Sequence, residues 1–267
     1  MNNILATIIE QKKIEIAALD SREVLRIAES SPQPRDFVAC IKLKNKTQLI
    51  SLIAELKRAS PSKGIFDPDI DLIQVADIYV KNGASAISVL TDEKFFLGNI
   101  ETLRNLRFER EISLPLLRKD FIIDEVQIFE ARANGADAIL LIAAALEDDK
   151  HLANLHACAL SFGLTPIVEV HNEKEIDRVL LIDGLRVVGI NNRDLSSFSV
   201  SLSTTEKLRP MIPVGITTIA ESGIFTSADV ERLAKTKIDA ILVGEALITA
   251  PNIALKVREL ASSTGEN

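Results

Sequence analysis

The sequence predicts an α/β chain that folds as a TIM (β/α)8 barrel behind an N-terminal helical extension, and three observations predict it. From Leu49 onward, short apolar runs alternate with segments of helical period, the pattern of a parallel sheet built from βα units. Eight units can be counted at roughly 25 to 30 residues each, which suits a barrel of about 250 residues. The junction between a helix end and the next strand also repeats, as NGASAI at 82–87, NGADAI at 134–139 and KIDAIL at 237–242, the mark of a repeated unit.

Residues 1–48 stand outside that count. They carry one helical pattern at about 3–19 and another at about 21–30, after which SPQPRDF stops the helix, because proline has no N–H to donate and its ring clashes with the preceding turn. No flexible linker precedes Leu49, so a helical lid or plug is expected, within a single domain over 1–267 whose barrel runs 49–262. The strand candidates follow in order: LISLIAELK (49–57), ASAISVLTD (84–92), LPLLRKDF (114–121), ADAILLIAA (136–144), LTPIVEV (164–170), LRVVGINN (185–192), VGITTIAES (214–222) and IDAILVGEA (238–246). Between them, DLIQVADIYVKNG and EVQIFEARANG read as helices closing on Asn-Gly, where glycine takes the left-handed turn that ends a helix.

Composition narrows the function. At 267 residues, 47% hydrophobic and 26% charged, the chain can bury a large core. A formal net charge of −7 argues against a nucleic-acid surface, which needs clustered Lys and Arg. Cys40 and Cys158 make neither a CxxC pair nor a disulfide framework, so a reducing compartment is expected. His151, His156 and His171 form no metal-ligand pattern. The N-terminus lacks the basic leader, apolar core and cleavage site of a signal peptide. No apolar run approaches the roughly 18 residues of a membrane span. A cytoplasmic protein with no membrane or nucleic-acid partner is expected.

Barrel chemistry sits at the C-terminal ends of the strands, so the useful residues are the polar ones that close each apolar run. They are Glu55 and Lys57 on the first strand, Lys119 on the third, Glu169 on the fifth, Asn191 on the sixth, Glu221 and Ser222 on the seventh, and Gly244 with Glu245 on the eighth. One charge at a strand end is ordinarily a solvated loop start. Charges recurring on the first, third, fifth and seventh strands would share a cavity and perturb one another. Phosphate recognition is the second signal, since barrels commonly assemble that site from the loops after their last two strands. AESGI (220–224) and VGEAL (243–247) place Gly223 and Gly244 there, and Ser60, Lys63 and Arg193 could add donors. His156 and Cys158 read as surface or packing residues, NEKEID (172–177) as an exposed helix face, and His171 at most edges the site.

The stretches IAELKRASPSKG (53–64), LTDEKFFLGN (90–99), LLRKDFIID (116–124), PIVEVHN (166–172), VGINNRDL (188–195), IAESGI (219–224) and LVGEAL (242–247) resemble those of the indole-3-glycerol phosphate synthase family of tryptophan biosynthesis. The resemblance implies a phosphosugar substrate, 1-(2-carboxyphenylamino)-1-deoxyribulose 5-phosphate, cyclised with loss of carbon dioxide and water, and no cofactor or metal. It implies Lys119 as the general acid at the ribulose carbonyl, with Glu169, Glu55 and Lys57 as the remaining acid/base and positioning groups. Asn191 and Glu221 would orient substrate and lysines. Ser60, Arg193, Ser222, Gly223, Gly244 and Glu245 would bind phosphate, Glu245 through its backbone N–H. Phe95 and Phe96 would wall the anthranilate ring. A monomer is expected, with association to other tryptophan-pathway enzymes left open. Two readings compete: a phosphoribosylanthranilate isomerase, which should lack ELKRASPS and the Lys119/Glu169 pair, and a non-catalytic phosphosugar-binding barrel.

Overall fold

The computed structural model describes residues 4–44, 50–60, 63–194 and 197–261. Leu49 of the first expected strand, Pro61 and Ser62 of the loop after it, and Leu195 at the end of VGINNRDL lie outside the described residues. Eight parallel strands close a barrel: β1 (Ser51–Leu56), β2 (Ala86–Leu90), β3 (Leu116–Lys119), β4 (Ala138–Ile142), β5 (Thr165–Val170), β6 (Val187–Asn191), β7 (Thr217–Glu221) and β8 (Ala240–Val243). Each pairs with the next, and β8 returns to β1 with Ala240 opposite Ser51. Every expected strand is present, shortened by up to three residues at either end where the backbone turns into loops. A short antiparallel hairpin, Ala59–Ser60 with Gly64–Ile65, follows β1.

The strands are buried on both faces because helices cover the outside and side chains fill the inside. Ile53, Leu117, Ile167 and Ile219 point into the barrel with Ala86, Ala138, Leu140, Val187, Ala240 and Leu242, forming an inner core. Alternate residues such as Leu52, Leu56, Ile87, Leu116, Val168 and Ile241 pack outward against the helices. The repeated helix-to-strand junction has a physical cause. Gly83 and Gly135 take the left-handed turn at φ 107° and 83°. Asp137, just before β4, accepts the Leu116 N–H of β3 at 2.8 Å, and Asp239, just before β8, accepts the Thr218 N–H of β7 at 2.8 Å. Each acid satisfies a backbone donor of the neighbouring strand.

The N-terminal extension is three helices, not two: α1 (Ile4–Ala17), α2 (Ser21–Ser30) and α3 (Phe37–Lys44). The third follows the prolines directly and was not expected, because eight residues give too few helical turns for a clear period. Asp20 caps α2 by accepting the N–H groups of Arg22 and Glu23. Phe37 and Ile41 of α3 are fully buried within the inner core, and the Ile41 carbonyl accepts the Ser51 hydroxyl at 2.7 Å. This helix therefore plugs the end of the barrel where the strands begin. The α2–α3 connection is tied down by Arg132, whose guanidinium donates to the carbonyls of Ser31 and Pro32. The expectation of a lid or a plug resolves into both, since α1 lies over the opposite mouth.

Candidate active site

At the C-terminal mouth, the four odd strands present Glu55, Lys119, Glu169 and Glu221. Each stands two residues beyond an inner-core apolar residue: Ile53, Leu117, Ile167 and Ile219. Strand alternation aims residues i and i+2 to the same side, so one ionisable layer sits on one apolar layer. Lys119 Nζ donates to Glu221 at 3.1 Å and lies 3.5 Å from Glu169. Lys57, one residue past β1, pairs with Glu55 at 2.8 Å. The two lysines thus each carry their own acidic partner. Asn191 ends β6, where its side-chain Oδ1 accepts the Arg193 backbone N–H at 3.0 Å and the same side chain hydrogen-bonds to Glu169.

Burial sets the protonation of this layer. It opposes charge on Lys119, but Glu221, Glu169 and Glu55 outweigh it and hold the ammonium well above its ordinary range. Burial pushes Glu221 up to about 7, with Glu169 adding to the shift against the pull of Lys119. Glu169 moves the opposite way despite its burial, because Lys119, His171 and Asn191 all favour its charged form. Two carboxylates beside one ammonium are thereby pushed apart, the arrangement that separates acid from base roles.

Two cavities meet here. The larger, about 960 Å³ including space open to solvent, takes in Glu55, Lys57, Lys119, Asp120, Glu169 and Asn191 on one side and a wall of apolar side chains on the other. The smaller, about 400 Å³, shares Glu55, Lys57, Lys119, Arg193 and Ser222 and runs to Gly223, Gly244 and Glu245. Ser222 and Gly223 sit consecutively in the left-handed region, at φ 67° and 78°. Asn192 holds that turn: its side-chain Nδ2 donates to the Ser222 carbonyl at 3.1 Å while its Oδ1 accepts from the Thr205 N–H and hydroxyl. A Cβ at Gly244 would lie 2.3 Å from the Glu55 carboxylate, so only glycine lets the chain pass the ion pair. Gly244 opens a short helix, Glu245–Ile248, whose leading amides have no acceptor within it. The Glu245 carboxylate lies 3.4 Å from Lys63 and 3.8 Å from Arg193. Ser60 lines the larger cavity only.

The apolar wall differs from the expected one. Phe96 lines the larger cavity, with its ring 6.0 Å from that of Phe121. Phe95 lines neither cavity and lies beside the Lys94 ammonium instead. Both belong to one helical turn, Glu93–Phe96, where successive side chains diverge by about 100°, so two adjacent rings cannot face the same space. The rest of the wall is Leu90, Phe121, Leu140, Ile142 and Phe198 with Ile4, Leu5 and Ile8 of α1.

A family model described as "Indole-3-glycerol phosphate synthase" matches residues 5–260. The chain belongs to the indole-3-glycerol phosphate synthase family. It is 47% identical over 274 residues to the indole-3-glycerol phosphate synthase of Roseiflexus sp. (strain RS-1), covering 99% of this chain and 100% of that one. It is 49% identical over 219 residues to that of Dehalococcoides mccartyi (strain ATCC BAA-2266 / KCTC 15142 / 195), covering 82% and 84%. Among solved structures, the fold alone is shared with a thiamine phosphate pyrophosphorylase from Pyrococcus furiosus. That match has a TM-score of 0.55 at 17% identity over 82% of this chain and 95% of that one.

Several residues of this synthase-family site escape a reading of motifs. A Cβ at Gly189 would lie 2.3 Å from Glu221 Oε1, so glycine on β6 makes room for the carboxylate of β7. Asn192 and Phe121 lie inside quoted motifs without an obvious task. The α1 contribution had a signal: Ile4, Ile8 and Lys12 recur every four residues on one helical face, and a lysine in an apolar stripe marks a buried charge. Lys12 is buried between Asp92 at 2.8 Å and Asp120 at 2.9 Å. No helix among the described residues is long and apolar enough to cross a membrane.

Proposed function

We infer that this chain performs the reaction for which its family is named: the decarboxylating, dehydrating closure of 1-(2-carboxyphenylamino)-1-deoxyribulose 5-phosphate to indole-3-glycerol phosphate. The observation that carries the assignment of roles is Lys119, an ammonium held by two carboxylates at the junction of an apolar cavity and a glycine-lined one. The carboxyphenyl ring goes against Phe96, Phe121 and the face of α1. The phosphate goes to the turn at Ser222 and Gly223 and the helix start after Gly244, with Arg193 and Lys63 turning from the Glu245 carboxylate to the phosphate. Ser60, on the larger cavity, is placed for the ribulose arm and its link to the phosphate.

With both ends held, the carbonyl carbon lies over the ring carbon that must attack it, and closure becomes a matter of positioning. Lys119 donates a proton to the carbonyl oxygen as the carbon–carbon bond forms. Loss of carbon dioxide then returns electrons to the ring. Glu169 accepts the proton leaving from the nitrogen side, and Lys57, paired with Glu55, delivers a proton to the departing hydroxyl as water leaves. Asn191 orients Glu169, and Glu221 holds Lys119. The α1 lid and α3 plug work with the barrel as one unit.

The test is a fluorescence assay for indole product on incubation with the carboxyphenylamino substrate. Lys119→Met should fold and still bind substrate but lose turnover by on the order of 10²- to 10⁴-fold. Near-normal turnover in that variant would sink the general-acid role. Binding without any indole signal in the unaltered protein would favour a non-catalytic barrel.

A further inference from the structure

The sequence left His171 at the edge of the site, yet its ring touches a carboxylate at each nitrogen. Nε2 lies 3.3 Å from Glu169 Oε1, an ion-pair distance at which no hydrogen bond forms among the described residues, and Nδ1 lies 3.1 Å from Glu175 Oε2, within hydrogen-bond reach. The same Glu175 oxygen accepts the His171 backbone N–H at 2.8 Å, and its other oxygen accepts the Asn172 side chain at 2.6 Å. A neutral imidazole has one donor and one lone pair. In either tautomer that lone pair would face a carboxylate. Burial opposes charge on the ring, but Glu169 and Glu175 outweigh it and push the imidazole up to about 10, so the cation is the favoured form there.

We propose that His171 is a positioning residue whose charge keeps Glu169 ionised and so decides which of the two buried acids beside Lys119 serves as the base. This rests on the roles assigned above. Glu169 has a cation on either side, with Lys119 3.5 Å from Oε2 and His171 3.3 Å from Oε1. Glu221 has Lys119 alone at 3.1 Å, and its Oε1 is buried without a hydrogen-bond partner among the described residues. Two like charges sharing one ammonium cannot both be favoured, and the second cation breaks the tie toward Glu169. The groups facing His171 are Glu169 on β5 and Glu175 on the following helix. Beyond Glu169 stand Lys119 and Glu221, and across the groove outside stand Glu173 and Lys207.

Removing the cation raises the pKa of Glu169, so the acidic limb of activity must move to higher pH. In His171→Gln, the acidic limb of kcat should move up by roughly one pH unit, so that kcat falls by up to about tenfold on the acid side of that limb and recovers as pH rises, with KM left within threefold. Glu175→Gln, which keeps an oxygen for the backbone N–H, should shift the limb the same way by less. It decides the matter alone if His171→Gln does not fold. A loss uniform across pH, or one confined to KM, would overturn the proposal. The unaltered protein is assayed alongside: if it makes no indole product, the assigned reaction fails, whereas product with unshifted limbs in the variants removes only the role of His171.

Discussion

Gly189 shows how one missing carbon atom positions a charge. The residue sits in mid-strand, and a side chain there would meet Glu221 Oε1 at 2.3 Å. Glu221 in turn places Lys119. Gly189→Ala should therefore fold, since its backbone does not need the left-handed region, while the displaced carboxylate drags Lys119 from its working position. A displacement of about 1 Å costs up to 10²-fold in rate, so a kcat reduced roughly 10- to 100-fold with a nearly unchanged urea midpoint is expected. A variant with full kcat would show that Glu221 can relax without moving the lysine.

Helix α1 acts as a lid because of one residue. Lys12 is buried and bridges Asp92 and Asp120, which belong to the loops after β2 and β3. Burial opposes its charge, but Asp120 and Asp92 prevail and hold it protonated. Asp120 is itself braced by Arg118 at 3.2 Å and by the Thr91 hydroxyl at 2.6 Å. The same helix lays Ile4, Leu5 and Ile8 on the cavity. Lys12→Met would leave buried Asp92 without its ion-pair partner and Asp120 with Arg118 alone, a change that costs about 3–5 kcal/mol when one partner of a buried pair is removed. Denaturant unfolding should show that loss. Substrate KM should rise several-fold as α1 loosens, and an unaltered KM would separate the lid from binding.

Two layers of the barrel have different tasks. The inner apolar core, stoppered by Phe37 and Ile41 of α3, holds the strands at fixed separation. The charged layer above it depends on that separation for its 2.8–3.5 Å contacts. Phe37 lies at the far end from Lys119, so Phe37→Ala should cost about 3–5 kcal/mol through the cavity it leaves, with kcat little changed below the melting range. Loss of activity without loss of stability would mean that the plug reaches the chemistry.

The sequence by itself determined the eight strands, their order, and the acids and lysines at their ends, because these follow from local rules. Buried parallel strands are continuously apolar, glycine ends helices, and period-two alternation sends Glu55 and Lys57, or Ile53 and Glu55, to one side. What it could not express is which side chains the folded backbone brings into contact. Phe95 and Phe96 look equivalent until a helical turn separates them. Gly189 looks like any strand glycine until β7 brings Glu221 against it. His171 looks peripheral until the fold sets Glu169 and Glu175 on its two nitrogens. Which acid is ionised, which helix is lid and which is plug depend on side-chain contacts that only the closed barrel sets.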